Sequence, residues 1–270
     1  MKLVRQFLDL PNDSKVKTYG VALLLCLVCS VAVSAAAVAL KPVQDENKLL
    51  DKKKNILQIA GLDQPGKSVD EAFKQIEAKV VDLQTGDYVS GIDPNTFDAR
   101  AASVDPKQNV VLTKEQDIAS IKRRAKYATV YLVKGPQGKV EKLILPIHGY
   151  GLWSTLYGFL ALKGDANTVV GMGFYEHAET PGLGGEVDNP AWKALWKDKQ
   201  VFNSDGQVAL RVMKGAAPAG DPKAVHEIDA LSGATLTSRG VDNLVHFWMG
   251  ENGFGSYLQK FRTNSQGGGV

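Results

Sequence analysis

Residues 18–40 form 23 consecutive positions without a formal charge, mostly Ala, Val and Leu. As a helix rising about 1.5 Å per residue, such a segment reaches roughly 34 Å, enough to cross a hydrocarbon core of about 30 Å. The chain is therefore expected to carry one transmembrane helix, with everything else folding outside the bilayer. A cleaved signal peptide is the competing reading, because Ser34-Ala-Ala-Ala37 supplies the small residues that cleavage requires. The apolar run exceeds the roughly 7–15 residues of a signal core, which favours a retained anchor. Lys2, Arg5, Lys15 and Lys17 precede the segment, and Lys41, Lys48, Lys52, Lys53 and Lys54 follow it, so the positive-inside rule sets no direction. A single N-terminal anchor before a large domain commonly acts as an uncleaved export signal. The expected order is a cytoplasmic N-terminus over residues 1–17, the span over 18–40, and an exported remainder.

Charge placement narrows the partners. Of 32 basic and 29 acidic side chains, five and two fall in residues 1–41, leaving 27 of each in residues 42–270. A domain with that balance has no basic excess for a polyanion, so no nucleic-acid partner is expected. Both cysteines, Cys26 and Cys29, lie in the apolar segment on one helix face, and none remains in residues 42–270 to form disulfides. Cys-x-x-Cys is also a redox spacing, but two ligands do not complete a metal site. We read the pair as small residues suited to helix–helix contact.

Residues 45–60 read as a helix leaving the membrane. Ser68-Val-Asp-Glu71 has the form of a capping box, with Phe73, Ile76, Val80 and Val81 following at helical spacing. Residues 84–113 read as irregular structure or short strands. Residues 114–126 read as a short helix, with Lys122, Arg123 and Arg124 solvated. From Tyr127 the pattern turns to strands: residues 127–133, a turn at Gly135-Pro-Gln-Gly138, then residues 140–147, 153–162, 168–175 and 208–212. Pro190 opens a short helix, and a final helix is expected over Val241, Leu244, Val245, Trp248 and Met249. Strands grouped between helices, without regular alternation, indicate an α+β class with a mainly antiparallel sheet. Residues 41–126 would form a membrane-proximal helical and irregular region, 127–262 the core and 263–270 a flexible tail.

Three stretches carry candidate chemistry. Pro146-Ile-His-Gly-Tyr-Gly-Leu-Trp-Ser154 sets glycines between aromatics, which lets backbone approach a flat ligand. Glu176-His-Ala-Glu-Thr-Pro-Gly-Leu-Gly-Gly-Glu186 is a Gly-rich loop after a strand. Asp229-Ala-Leu-Ser-Gly-Ala-Thr-Leu-Thr-Ser238 concentrates four hydroxyls where a helix begins, a place that favours phosphate. Taken alone, this last stretch reads equally as a helix capped by Thr237 or Ser238. Gly-x-Gly-x-x-Gly and Walker A sequences are absent, and His148, His177, His226 and His246 lack metal-ligand spacing.

One transmembrane helix followed by these three stretches in this order resembles the C-subunit family of Na⁺-translocating NADH:quinone oxidoreductases. The resemblance covers essentially the whole chain, and Asp229-Ala-Leu-Ser-Gly-Ala-Thr235 matches the family's flavinylation motif without departure. It implies an FMN-binding core in which a dedicated flavin transferase joins FMN to Thr235 through a phosphoester. Asp229 matches the position that the transferase reads. Ser232, Thr237, Ser238 and the N–H groups around Gly233 and Ala234 would then donate to the phosphate. Leu152, Trp153, Thr180 and Leu183 would form an apolar slot for the ring, with Glu179 at the ring edge. The implied role is an electron relay in a complex of six subunits in the bacterial inner membrane. Electrons would pass from an intramembrane iron–sulfur centre to a second covalent FMN on the way to ubiquinone, with the flavin domain periplasmic. The flavin subunit of the Rnf ferredoxin:NAD⁺ complex is the alternative, disfavoured by the long segment 45–126. A non-redox periplasmic binding module is a third reading.

Overall fold

The computed structural model describes residues 7, 9–63, 66–218 and 220–266. It contains two compact units, Met1–Leu50 and Asp51–Val270. Helix α1 runs unbroken over Lys15–Ile59, with Pro42 inside it. Residues 21–40 are exposed throughout, and this helix is long and apolar enough to cross a membrane.

The second unit is built on a five-stranded antiparallel sheet in the order β1-β4-β5-β6-β7. Its strands are β1 (Ile76–Asp82), β4 (Tyr127–Lys134), β5 (Val140–Tyr150), β6 (Thr155–Lys163) and β7 (Val169–Glu176). Side chains alternate across it. Val130, Leu132, Leu143, Leu145, Leu160 and Leu162 enter one apolar cluster, while Tyr131, Val133, Ile144, Phe159 and Ala161 enter another. The first lies under helices α5 (Thr235–Met249) and α6 (Gly255–Gln266), which supply Leu244, Trp248 and Leu258. The second is closed by Ile56, Leu57 and Ile59 from the end of α1. Both faces are covered, so β4 to β6 are apolar along nearly their whole length. The smaller elements are α2 (Val69–Phe73), α3 (Ala99–Val104), α4 (Pro190–Ala194), the paired strands β2 (Asn109–Val111) and β3 (Arg123–Ala125), and the parallel pair β8 (Arg211–Met213) and β9 (Glu227–Asp229).

The α+β class and antiparallel sheet agree with the sequence expectation, but several local readings do not. The Ser68 capping box forms, yet its helix stops at Phe73, and Ile76, Val80 and Val81 lie in β1. There the β-branched residues register against β4, Ile76 opposite Val133 and Val80 opposite Thr129, and pairing overrides the helical spacing. The sheet therefore reaches back into the region expected to be membrane-proximal. Residues 114–126 hold no helix: Ser120 and Lys122 have φ of 55° and 63°, and the segment ends in β3. Arg124 is buried rather than solvated. Helix α6 continues to Gln266, where a flexible tail was expected from 263, and residues 267–270 lie outside the described residues.

His148 marks where β5 meets α5. Its ring stacks on Tyr157 at 5.4 Å and 21° and tilts against Trp248 at 4.8 Å, while Trp248 Nε1 donates to the His148 carbonyl at 2.6 Å. Burial, and then the nearby Arg100 cation, push the imidazole pKa from 6.5 to about 4. The unfolded chain thus binds a proton that the fold refuses. This contribution is full above pH 6.5 and is lost as pH falls toward about 4. His148→Gln is expected to flatten the fall in melting temperature over that interval, removing on the order of 1–3 kcal/mol of its pH dependence. Thermal melts across the interval check this.

Candidate functional site

The site is organised by the turn between β9 and α5. Ala234 N–H donates to the Leu231 carbonyl at 3.2 Å, closing a turn in which Gly233 has φ of 74°, a conformation that favours glycine. Helix α5 begins at Thr235 and has no side-chain cap bond. The expected caps Thr237 and Ser238 therefore lie inside its first turn, and their hydroxyls are committed inward. Ser238 Oγ accepts Leu231 N–H and donates to the Ala234 carbonyl, both at 3.0 Å. Thr237 Oγ1 donates to Glu179 Oε2 at 2.7 Å. Both side chains are buried, whereas Ser232 and Thr235 are exposed. The structure thus reassigns Thr237 and Ser238 from phosphate donors to supports of the turn, and Ala234 N–H is likewise taken. Ser232, Thr235 and the unpaired N–H groups of the helix's first turn remain available to an anion.

Glu179 draws the three sequence stretches together. Its Oε1 accepts the N–H groups of Leu152, Trp153 and Ser154 at 3.1, 3.0 and 3.2 Å, and its Oε2 takes the Thr237 hydroxyl. Burial works to raise its pKa. The Thr237 hydroxyl and the three backbone donors outweigh that, and the carboxyl stays below the usual range. Both oxygens are occupied, so Glu179 supports the site from below and does not offer itself to a ring edge as the sequence suggested. Its neighbours must be glycines. A Cβ on Gly151 would meet Glu179 Oε1 at 2.7 Å, and one on Gly184 would meet Thr237 Oγ1 at 2.5 Å. One on Gly240 would meet the Tyr150 carbonyl, also at 2.5 Å.

Two surfaces flank the Thr235 turn. On one side Leu152, Trp153, Leu183 and Leu236 are exposed, with Trp153 at 66%. Leu183 Cδ2 stands 3.4 Å from where a Gly233 Cβ would be, which places this apolar shelf against the turn. Thr180 is exposed nearby, and its carbonyl accepts the N–H groups of Leu183 and Gly185. The expected apolar slot is thus an open shelf. The other surface is a cavity of about 590 Å³, lined by Ser232, Gly233, Thr235, Asp229 and Asp242 and by the cations Arg211, Lys214 and Arg239. Asp229 Oδ1 accepts Gly215 N–H at 3.1 Å, and the Asp229 carbonyl accepts Trp192 Nε1 at 2.9 Å. Asp229 therefore braces β8 against β9 from the cavity wall. Sequence reasoning missed the three cations. Arg239 carried a signal, its position four residues after Thr235 on a helix; Arg211 and Lys214 come from a strand and its following turn, with no local mark.

Likeness to known proteins agrees with this geometry. Residues 151–250 match the family model described as an FMN-binding domain. The Na⁺-translocating NADH-quinone reductase C subunit of Pseudomonas aeruginosa is 56% identical over 255 residues, 93% of this chain and 97% of that protein. The Yersinia pestis C subunit is 51% identical over 94% of this chain and 96% of its own. The chain belongs to the C-subunit family of Na⁺-translocating NADH-quinone reductases. The crystal structure of Shewanella oneidensis NqrC superposes with a TM-score of 0.72 at 38% identity, covering 78% of this chain and 96% of that one.

The Glu179 clasp is testable without any ligand. Removing one donor to a buried carboxylate costs about 1–3 kcal/mol, and removing the carboxylate leaves three part-buried N–H groups without their acceptor. Thr237→Val is expected to lower the melting temperature by several degrees and Glu179→Ala by more, read by calorimetry. Equal melting of Glu179→Ala and the parent chain would show that the clasp carries no stability.

Proposed function

We propose that this chain is the membrane-anchored electron-relay subunit of a Na⁺-translocating NADH-quinone reductase, carrying FMN as a phosphoester on Thr235. The observation that carries the assignment is the position of Thr235: an exposed residue in a turn that Leu183 touches at Gly233 and that lines a cavity with three cations. That pairing fits the two ends of FMN, a flat ring and an anionic phosphate. Ser232 and the first-turn N–H groups of α5 would face the phosphate, and Leu152, Trp153, Thr180 and Leu183 would seat the ring. Asp229, Thr237, Ser238 and Glu179 would hold these groups in place from behind. Bound FMN supplies the electron chemistry, and the chain supplies attachment, orientation and a partly dry surface. Such a role needs no acid–base pair.

Membership of the C-subunit family, at 56% and 51% identity to the relatives above, favours the quinone reductase over the Rnf complex and over a non-redox module. The partners are the other subunits of a membrane complex. We infer six subunits in all and a dedicated flavin transferase acting during maturation. Electrons would arrive from an intramembrane iron–sulfur centre and leave to the next flavin toward ubiquinone. Helix α1 suits the bacterial inner membrane, and we place the C-terminal domain in the periplasm.

A chain co-expressed with the flavin transferase is expected to fluoresce in a denaturing gel and to show FMN mass on the Thr235 tryptic peptide. Thr235→Ala is expected to lose both. Flavin retained in Thr235→Ala would move the attachment elsewhere. A deletion strain is expected to lose membrane quinone reduction driven by NADH and to keep ferredoxin-driven activity.

A further inference from the structure

The cavity beside Thr235 carries charge that the fold does not use. Arg211, Lys214 and Arg239 line it, all three are exposed, and among the described residues none of the three side chains makes a hydrogen bond or an ion pair. The two carboxylates in the same wall are already engaged by backbone: Asp229 Oδ1 by Gly215 N–H at 3.1 Å and Asp242 Oδ1 by Val212 N–H at 2.7 Å. His246 Nε2 stands 4.0 Å from Asp242 Oδ1. Three cations against two carboxylates leave the wall one positive charge in excess, which an anion would neutralise.

We propose that Arg239, with Arg211 and Lys214 beside it, forms the anion-binding wall that holds the phosphodiester on Thr235 and so fixes which way the attached flavin lies. This rests on the Thr235 reading above and adds the residues that make it work. Arg239 follows Thr235 by four positions within α5, so the two side chains share a helix face and lie about 5–6 Å apart at Cβ. A guanidinium there can meet phosphate oxygens through two N–H groups, which a lysine cannot match in geometry. Arg211 and Lys214 reach the cavity from β8 and the turn after it. Their placement is set by the parallel register of Val212 with Ile228 and Met213 with Asp229. Three cations and two carboxylates leave one positive charge, and a phosphodiester brings one negative charge. Arg239 acts as a positioning residue. With the phosphate drawn into the cavity, the ring is directed onto the exposed Leu152, Trp153 and Leu183.

The test uses the full-length chain in detergent, purified from cells lacking the flavin transferase, so that Thr235 is free. Free FMN and riboflavin share the ring and differ in the phosphate. By fluorescence titration at low salt, FMN is expected to bind at least about tenfold tighter than riboflavin, the contribution of one charge-assisted bond. Inorganic phosphate is expected to displace it. Arg239→Gln is expected to lose most of this preference, and Arg239→Lys to restore part of it. The Arg211→Gln, Lys214→Gln, Arg239→Gln triple variant is expected to lose it entirely. FMN binding no tighter than riboflavin in the parent chain, or a full preference in the triple variant, would overturn the proposal. Failure of the Thr235 assignment is read separately, from an unmodified Thr235 peptide in the chain co-expressed with the transferase. In the modified chain, Arg239→Gln is expected to lower flavin fluorescence anisotropy relative to the parent; unchanged anisotropy would argue against positioning.

Discussion

A buried, ionised Glu179 is the constraint on which the site depends. Its carboxylate gathers the N–H groups of residues 152–154, from the β5–β6 turn, and the Thr237 hydroxyl, from the first turn of α5. These segments are 26 and 58 residues from it in sequence. A charge taken out of water demands full hydrogen bonding, and here every donor comes from a segment bordering the shelf or the Thr235 turn. No neutral side chain of this size accepts four such bonds, so the relative placement of shelf and helix start is tied to one ionised group. The same closeness explains the glycines at 151, 184 and 240, where a methyl group would strike the carboxylate, the hydroxyl or a carbonyl. The Gly-rich look of the first two stretches reflects how tightly protein packs on protein beneath the shelf, and only secondarily any approach of backbone to a ligand.

How much of this was legible in the sequence follows from how local each signal is. The apolar anchor and strands β4 to β7 were readable, because burial on both sheet faces writes itself as long apolar runs with β-branched residues. Strand β1 was not. Ile76, Val80 and Val81 satisfy helical and extended spacing alike, and only pairing with β4 decides between them. Residues 114–126 failed for a related reason: their composition tolerates a helix, but positive φ at Ser120 and Lys122 directs them into a hairpin with β2. The exposure of Thr235 agrees with its proposed role, while the division of labour among the four hydroxyls was not legible. Whether Ser238 points out or in depends on the helix starting at Thr235, ahead of the caps its sequence suggests. Arg211 and Lys214 join the site only through a parallel strand pair, the least local of these contacts.

The two sides of the Thr235 turn differ in kind, and the difference bears on electron transfer. A cofactor held without a covalent bond draws its affinity from burial, and its pocket encloses most of its surface. Here the apolar groups beside Thr235 remain open, with Trp153 at 66% exposure. The proposed covalent tether would remove the need for enclosure, since a tethered ring stays at high effective concentration whatever its intrinsic affinity. One edge of such a ring can face a neighbouring protein directly, which suits a relay that must receive from one protein and deliver to another. The cost of openness is orientational freedom. With FMN attached at Thr235 as proposed, the cation wall beside that turn would limit this freedom at the phosphate and leave the ring's outer face clear.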